Sequence, residues 1–350
     1  MIKVKALMRG LYLEINSSCN QKCIYCYNSD IISNQDFLSV DIIKKLIKES
    51  KSIGITACTI SGGEPLLHPN FVEILSFISE SKLKTTIISN LTLLNKSIAE
   101  KLSFYNPDIQ ITIDSGDALM HDESRGRGTY EKQLAGLDLL KKSGYKGEFN
   151  IRCNLWNGNC TEKNIISVLD FAQKNKIKKV KFALAHATEC FKETIDDEFI
   201  KDQISKWVDN QINNYSDLDF SFTEGEAEFG CPLLSDNVDV ECGFKVSPKG
   251  KVFPCQLFFQ DEYSVGNIYR QSIIDIVNGK ELESFLILMK LRNRFIPHCQ
   301  TCVCQSICKG GCPAKALLTN NNIFTPNGPC GKRKNTYKDI ISKKLVENTN

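Results

Sequence analysis

Sixteen cysteines in a chain of 350 residues constrain this sequence more than any other feature, because of where they fall. Three lie together at Cys19, Cys23 and Cys26, four are scattered between Cys58 and Cys190, and nine lie between Cys231 and Cys330. Secreted disulfide scaffolds are shorter and denser in cysteine. In a reducing compartment, clustered cysteines instead suggest metal or iron–sulfur ligands, because the thiols stay free to coordinate. The opening stretch MIKVKALMRGLYLEINSS has no cleavable apolar core, so no secretory signal is visible. The longest apolar runs, such as Phe285 to Met289, are far too short to span a bilayer. The expectation is a cytoplasmic, cysteine-ligated metalloprotein. A net charge of +3, from 44 basic and 41 acidic residues, gives no argument for nucleic acid, a membrane surface or a strongly acidic partner. The length suits one large domain with an appendage, or two, and can bury a large core.

Short apolar runs alternate with amphipathic ones in the first part of the chain. Strands are expected at Leu11 to Ile15, Ala57 to Ser61, Lys84 to Ser89, Ile109 to Asp114, Glu148 to Cys153 and Lys179 to Leu184. Helices are expected near 38–53, 70–82, 95–104, 130–144, 162–175 and 196–213; Ile42, Ile43, Leu46 and Ile47 have the 3.6 period of a one-faced helix. Six strand–helix units in order imply parallel strands with helices outside. Six is short of the eight of a closed barrel, so the α/β fold is expected to be an open, partial (β/α)6 barrel, with its chemistry at the C-terminal ends of the strands. The cysteine triplet follows the first strand. A polar stretch, Asn213 to Asp217, marks a boundary, giving domains 1–215 and 216–350. The second is loop-rich, with short strands at Phe244 to Ser247 and Lys251 to Phe253 and a helix near 279–292, and metal is expected to hold it together.

Cys19-x3-Cys23-x2-Cys26 places three thiols on one loop, enough to hold three irons of a cubane cluster and leave the fourth iron open. Structural zinc wants four ligands, usually in two separated pairs, and no fourth stands nearby. The second segment, Ser61-Gly62-Gly63-Glu64-Pro65, follows the second strand. Its glycines let backbone approach a ligand closely, and the carboxylate can take up an ammonium.

This CxxxCxxC loop followed by a GGE segment resembles the radical S-adenosylmethionine (radical SAM) enzymes. The resemblance implies that Cys19, Cys23 and Cys26 hold a 4Fe–4S cluster, with Gly62, Gly63 and Glu64 beside the bound SAM. Ser89-Asn90 would face its methionyl moiety, and Tyr25 would offer its backbone carbonyl to the adenine. Thr112-Ile113-Asp114, followed by His121-Asp122-Glu123-Ser124-Arg125-Gly126, is similar to the S-I-D-G … H-D-x-x-R-G stretch of peptide-modifying members, with one residue added before Gly116. Thr112 and Arg125 are thereby candidates for holding the SAM carboxylate. Leu184 would pack on the base; the plainer reading makes it core. For Arg125 the plainer reading is a solvated surface charge.

The last third reads Cys242-x7-Gly250-x4-Cys255, then Cys299-x2-Cys302-x5-Cys308-x3-Cys312, then Cys330. This resembles the seven-cysteine SPASM extension of radical SAM enzymes, which binds one or two auxiliary 4Fe–4S clusters. The resemblance assigns Cys242, Cys255 and Cys312 to the first, with Cys231 as fourth ligand, and Cys299, Cys302, Cys308 and Cys330 to the second. A zinc knuckle on the Cys299–Cys302 and Cys308–Cys312 pairs is the alternative. Cys304 fits no ligand slot. Cys58, Cys153 and Cys160 read as small buried hydrophobes, and Cys190 as a residue near the site's mouth. His68 and His121 read as turn-shaping residues.

The chemistry so implied is reductive cleavage of SAM to methionine and a 5′-deoxyadenosyl radical, which abstracts hydrogen from an unactivated C–H bond. The resemblance further implies a peptide or protein substrate, an electron donor such as flavodoxin or ferredoxin, and a ribosomal-peptide maturase that forms thioether or carbon–carbon links. A core starting near residue 11 leaves no room for a leader-binding domain, so a separate leader-binding protein is expected. An anaerobic sulfatase-maturating enzyme is the alternative within the family. Those enzymes carry a basic aspartate after the cysteine matching Cys255, where this chain has Gln256. A non-catalytic zinc-binding module is the alternative outside it.

Overall fold

A computed structural model describes the chain except residues 1–4, 29–34, 187–190, 196–197, 224–230, 235–238, 328–329 and 331–350. The first part alternates strand and helix: β1 Lys5–Glu14, α1 Val40–Ser52, β2 Ala57–Ser61, α2 Phe71–Glu80, β3 Lys84–Ile88, α3 Lys96–Tyr105 and β4 Asp108–Thr112. It continues through α4 Ala118–Arg125, α5 Thr129–Lys142, β5 Phe149–Leu155, α6 Glu162–Lys174, β6 Lys179–Leu184, α7 Glu198–Asn210 and β7 Asp219–Thr223. The last part carries β8 Asp239–Val246, β9 Lys251–Phe253, β10 Gly266–Asn267, α8 Ile273–Val277 and α9 Lys280–Leu291, then the short helices α10 Pro297–Gln300, α11 Gln305–Cys308 and α12 Pro313–Asn320.

The six expected strands are all present, as six of the ten strands of one open sheet ordered β10-β9-β8-β1-β2-β3-β4-β5-β6-β7. Neighbours from β8–β1 through to β6–β7 run parallel, while β9 and β10 turn back antiparallel. Three features go beyond the six units. A seventh parallel strand, β7, extends one side, and β8 pairs with β1 on the other, so the sheet continues across the 215/216 junction. A third, α4, replaces a loop; Asp117 caps it by accepting from the Met120 amide.

Leu11, Leu13 and Ile15 of the β1 segment face the helical shell and are buried, as are Ile43, Leu46 and Ile47 of α1 and Ile74, Leu75 and Ile78 of α2. The alternate residues face the barrel interior. Register puts Tyr12 level with Thr59 on one side and with Lys245 on the other. The loops after β1 to β6 therefore gather at one end of the sheet. No helix among the described residues is long and apolar enough to cross a membrane.

Candidate active site

The loop after β1 is fastened to the loop after β2. Asn16 is fully buried, and its Nδ2 donates to the Ser18 carbonyl at 2.9 Å and to the Glu64 carbonyl at 3.1 Å. In return the Gly63 amide donates to Asn16 O (2.9 Å) and the Glu64 amide to Ser18 O (2.8 Å). The contact is too close for side chains: a Cβ on Gly63 would lie 2.1 Å from Ser18 O, and one on Gly62, at φ +150°, 2.5 Å from Asn16 O. The glycines thus fix where the Cys19 loop begins.

Glu64 is buried, and its carboxylate accepts from Ser89 Oγ (2.7 Å), the Asn90 amide (2.8 Å) and the Leu66 amide (3.2 Å). Burial raises its pKa, and these three donors oppose the rise. The end of β3 so holds the carboxylate in one orientation.

Cys19, Cys23 and Cys26 line one cavity of about 520 Å³ together with Gly62, Gly63, Glu64, Ser89, Asn90, Thr112, Arg125 and Leu184. Every expected SAM-contact residue lines it, Tyr25 included. Leu184 is at once core, 8% exposed, and lining. Burial pushes the Cys19 thiol up to about 12, with the charges of Glu64, Cys23 and Cys26 adding to the rise, and pushes Cys26 up to about 11. Three crowded thiols that resist ionisation are a donor set that a cationic iron centre relieves, since metal binding drives the protons off.

Arg125 is buried, 7% exposed, which overturns its reading as a surface charge. Burial alone would pull its guanidinium down, but the charges of Cys23, Tyr25 and Asp114 hold it protonated. It donates to Tyr25 Oη and to Gln21 Oε1, both at 3.0 Å. Tyr25 Oη donates in turn to Asp114, whose carboxylate also accepts from Ser124 Oγ at 2.7 Å and the Asn154 amide at 3.0 Å. The Ile24 amide donates to Ser124 O at 2.9 Å, which ties α4 to the cysteine loop. Gln21 Nε2 and Arg125 Nε remain buried without a partner among the described residues. Two orphaned donors beside Cys23 suit an anionic ligand such as the SAM carboxylate.

Asp114 and Gln21 are hubs that the motifs touch without marking. His68 accepts from the Asn70 amide through Nδ1 and shapes a turn as expected; His121 instead lies within α4, fully buried and edge-on against Tyr130, with neither ring nitrogen hydrogen-bonded among the described residues, so it shapes no turn. Cys58 and Cys153 are buried in the core, and Cys190 lies outside the described residues.

Cys231, Cys255 and Cys312 are each half-buried and pack against the main core. Burial pushes Cys255 up to about 11, with Cys312 near enough to add to the rise. Cys242 lies in β8 opposite Met8, its side chain outside what is described. A second group forms around Cys299, whose pKa is raised by burial and then by Cys308, Cys330 and Cys302. Arg292, fully buried, braces this loop by donating to the carbonyls of Lys309 (3.1 Å), Gly311 (2.9 Å) and Gly310 (3.4 Å), and to those of Ile323 and Thr325. Cys304 is buried. No three described His, Cys, Asp or Glu side chains converge on a single ion position, so the described thiols form no ready mononuclear site.

An open parallel barrel with three thiols at its first strand end, and further thiol groups on a C-terminal extension, defines a radical SAM enzyme with an iron–sulfur extension. The chain belongs to the Radical SAM superfamily, whose profile it matches over residues 13–172, and it carries the SPASM iron-sulfur cluster-binding domain over residues 240–303. 4Fe–4S clusters and SAM are its cofactors. Among characterised proteins it is 28% identical to the antilisterial bacteriocin subtilosin biosynthesis protein AlbA of Bacillus subtilis, over 94% of this chain and 72% of that one. It is 23% identical to a cysteine-type anaerobic sulfatase-maturating enzyme of Clostridium novyi, over 94% of each. Solved structures with the same fold include native anSMEcpe with bound AdoMet and a peptide (TM-score 0.74, 19% identity, 98% of this chain and 100% of that one). Streptococcus suis SuiB bound to S-adenosylmethionine is another (TM-score 0.73, 19% identity, 92% and 76%).

Proposed function

We propose that this enzyme matures a ribosomally made peptide by forming a thioether or carbon–carbon link. One observation carries the proposal: the cavity lined by Cys19, Cys23 and Cys26 is also lined by Gln256 and Leu257, which directly follow Cys255. The segment that directly follows Cys255 thus forms part of the wall of the radical-generating chamber, so a substrate residue held there lies beside it. When bound, the reduced cluster and SAM supply a 5′-deoxyadenosyl radical that removes hydrogen from the substrate. Cys19, Cys23 and Cys26 would hold that cluster, and Arg125, Thr112, Ser89, Asn90, Glu64, Tyr25 and Leu184 would orient SAM. Cys231, Cys242, Cys255 and Cys312 would hold one auxiliary cluster, and Cys299, Cys302, Cys308 and Cys330 the other. The same proposal divides the chain at 215/216, places it in the cytoplasm, and supplies it with a flavodoxin or ferredoxin and a separate leader-binding protein.

The far wall speaks against formylglycine formation. Among the described lining residues Glu64 is the sole carboxylate, already engaged by three donors, and Gln256 cannot accept a proton. The test is anaerobic co-expression with a candidate precursor peptide, followed by intact mass. Loss of two hydrogens per link is expected. Conversion of a sulfatase-derived cysteine peptide to its aldehyde, with the precursor unchanged, would overturn the proposal in favour of sulfatase maturation.

A further inference from the structure

Lys245 stands on β8 with its side chain 1% exposed, one of the largest fully buried groups in the protein. Its ammonium lies 3.9 Å from Glu14 Oε2, itself 2% exposed, and over the rings of Phe253 and Phe259 at 5.0 and 5.7 Å. None of these contacts is a hydrogen bond to the ammonium, which has three protons to donate. Glu14 is meanwhile drawn the other way, accepting from Asn28 Nδ2 at 3.3 Å and Tyr27 Oη at 3.5 Å. A buried cation held this loosely lacks the geometry that makes an ion pair stabilising in its own right.

Register and ring contacts place the segment around Cys255 beside the ammonium. Lys245 is level with Phe253 across β8 and β9, so the two side chains share a face. The chain bends after Phe253, and the ammonium lies over both Phe253 and Phe259, the two rings that flank the Cys255 turn. Burial pulls Lys245 below the ordinary lysine range, while the charges of Glu14 and of Cys255 push it back up.

We infer that Lys245 is a positioning residue that donates to the sulfurs of the auxiliary cluster held at Cys255 and raises that cluster's reduction potential. Reduction adds one electron and so one negative charge to the cluster, and a fixed ammonium beside it favours the reduced form. Glu14, on the strand that leads into the Cys19 loop, moderates the effect. This inference rests on the assignment of Cys255 as a cluster ligand.

The test is an EPR-monitored redox titration of the full-length, anaerobically reconstituted protein in which Cys19, Cys23 and Cys26 are alanine, so that only auxiliary clusters titrate. A further Cys255→Ala change identifies the relevant wave. Lys245→Met is expected to move that wave to more negative potential by at least a tenfold change in the reduction equilibrium, about 59 mV for one electron. Lys245→Arg should hold it near the parent value, and Glu14→Gln should move it positive. An unmoved wave in Lys245→Met at unchanged iron and sulfide content overturns the inference. Should Lys245→Met fail to fold, an unmoved wave in Glu14→Gln overturns it instead. If Cys255→Ala removes no wave, the ligand assignment fails, and the inference fails with it.

Discussion

Replacing Gly63 by alanine tests how the two loops at the site are joined. The added Cβ would sit 2.1 Å from Ser18 O and 2.7 Å from Ser17 O, where ordinary contact begins at 3.4 Å. Both neighbours are backbone, so no flexible side chain can move aside; the two loops must part by over an ångström. That breaks the Gly63–Asn16 and Glu64–Ser18 hydrogen bonds. Two such bonds, at about 1 kcal/mol net each, with about 1–3 kcal/mol for overpacking, give a loss of about 3–5 kcal/mol. Cys19 follows Ser18 directly, and a displacement of about 1 Å at a reacting centre is enough to cost about a hundredfold in rate. Gly63→Ala is therefore expected to lose most 5′-deoxyadenosine production and the iron of one cluster, while keeping its auxiliary clusters. Gly243→Ala is the control: its Cβ would meet Gly10 O at 3.8 Å, and it should change stability by no more than about 0.5 kcal/mol. Iron and sulfide content, denaturant unfolding and SAM turnover read all of these. A Gly63→Ala enzyme with full iron content and parental turnover would refute the reasoning.

Other perturbations separate the parts of the site. Cys23→Ala should abolish reductive SAM cleavage while auxiliary-cluster EPR signals survive; residual cleavage would remove Cys23 from the catalytic set. Arg292→Lys keeps the charge but loses the planar fork that reaches several carbonyls. At about 1–3 kcal/mol per orphaned carbonyl it should destabilise the protein by more than 3 kcal/mol and release iron from the Cys299 group, measured by chelator-accessible iron. Burial lowers the His121 pKa to about 4. Below an unfolded value of about 6.5 the unfolded chain binds the proton that the native state refuses, so stability falls as pH drops from about 6.5 toward 4, by about 3 kcal/mol in all. Urea unfolding of His121→Leu between pH 7 and 5 should show a flatter dependence than the parent.

The cysteine triplet and the GGE segment were legible because their information is local: spacing alone brings three thiols onto one loop. The six strands were legible from alternation, and Ala57–Ser61 and Lys179–Leu184 fall where expected. Asp114 as a hub was not, since its carboxylate gathers Tyr25, Ser124 and Asn154 from three separate segments. The pairing of β8 with β1 joins residues as far apart as Met8 and Cys242, which no window on the sequence spans. Glu14 and Lys245 drew no reading from the sequence, for a different reason. In an ordinary half-buried strand the polar positions of an alternating pattern face water. Here helices cover one face and the other lines the barrel interior, so the same pattern buries a carboxylate and an ammonium. Helix α4 was hidden because His121 to Arg125 were read as a motif, and Asp117 as a cap emerges only from the backbone.

The union of β8 with β1 sets an order of events during synthesis. β1 leaves the ribosome well before its partner, which follows more than two hundred residues later. At about 5–20 residues per second, that leaves the outer edge of β1 bare for roughly 10–45 s. An unpaired strand edge is a template for pairing with another chain. The nascent barrel therefore passes through a stage in which its oldest strand is its most adhesive one, and the segment that carries the auxiliary thiols is also the one that caps it. A chain severed ahead of β8 keeps that adhesive edge for good and is expected to self-associate through it.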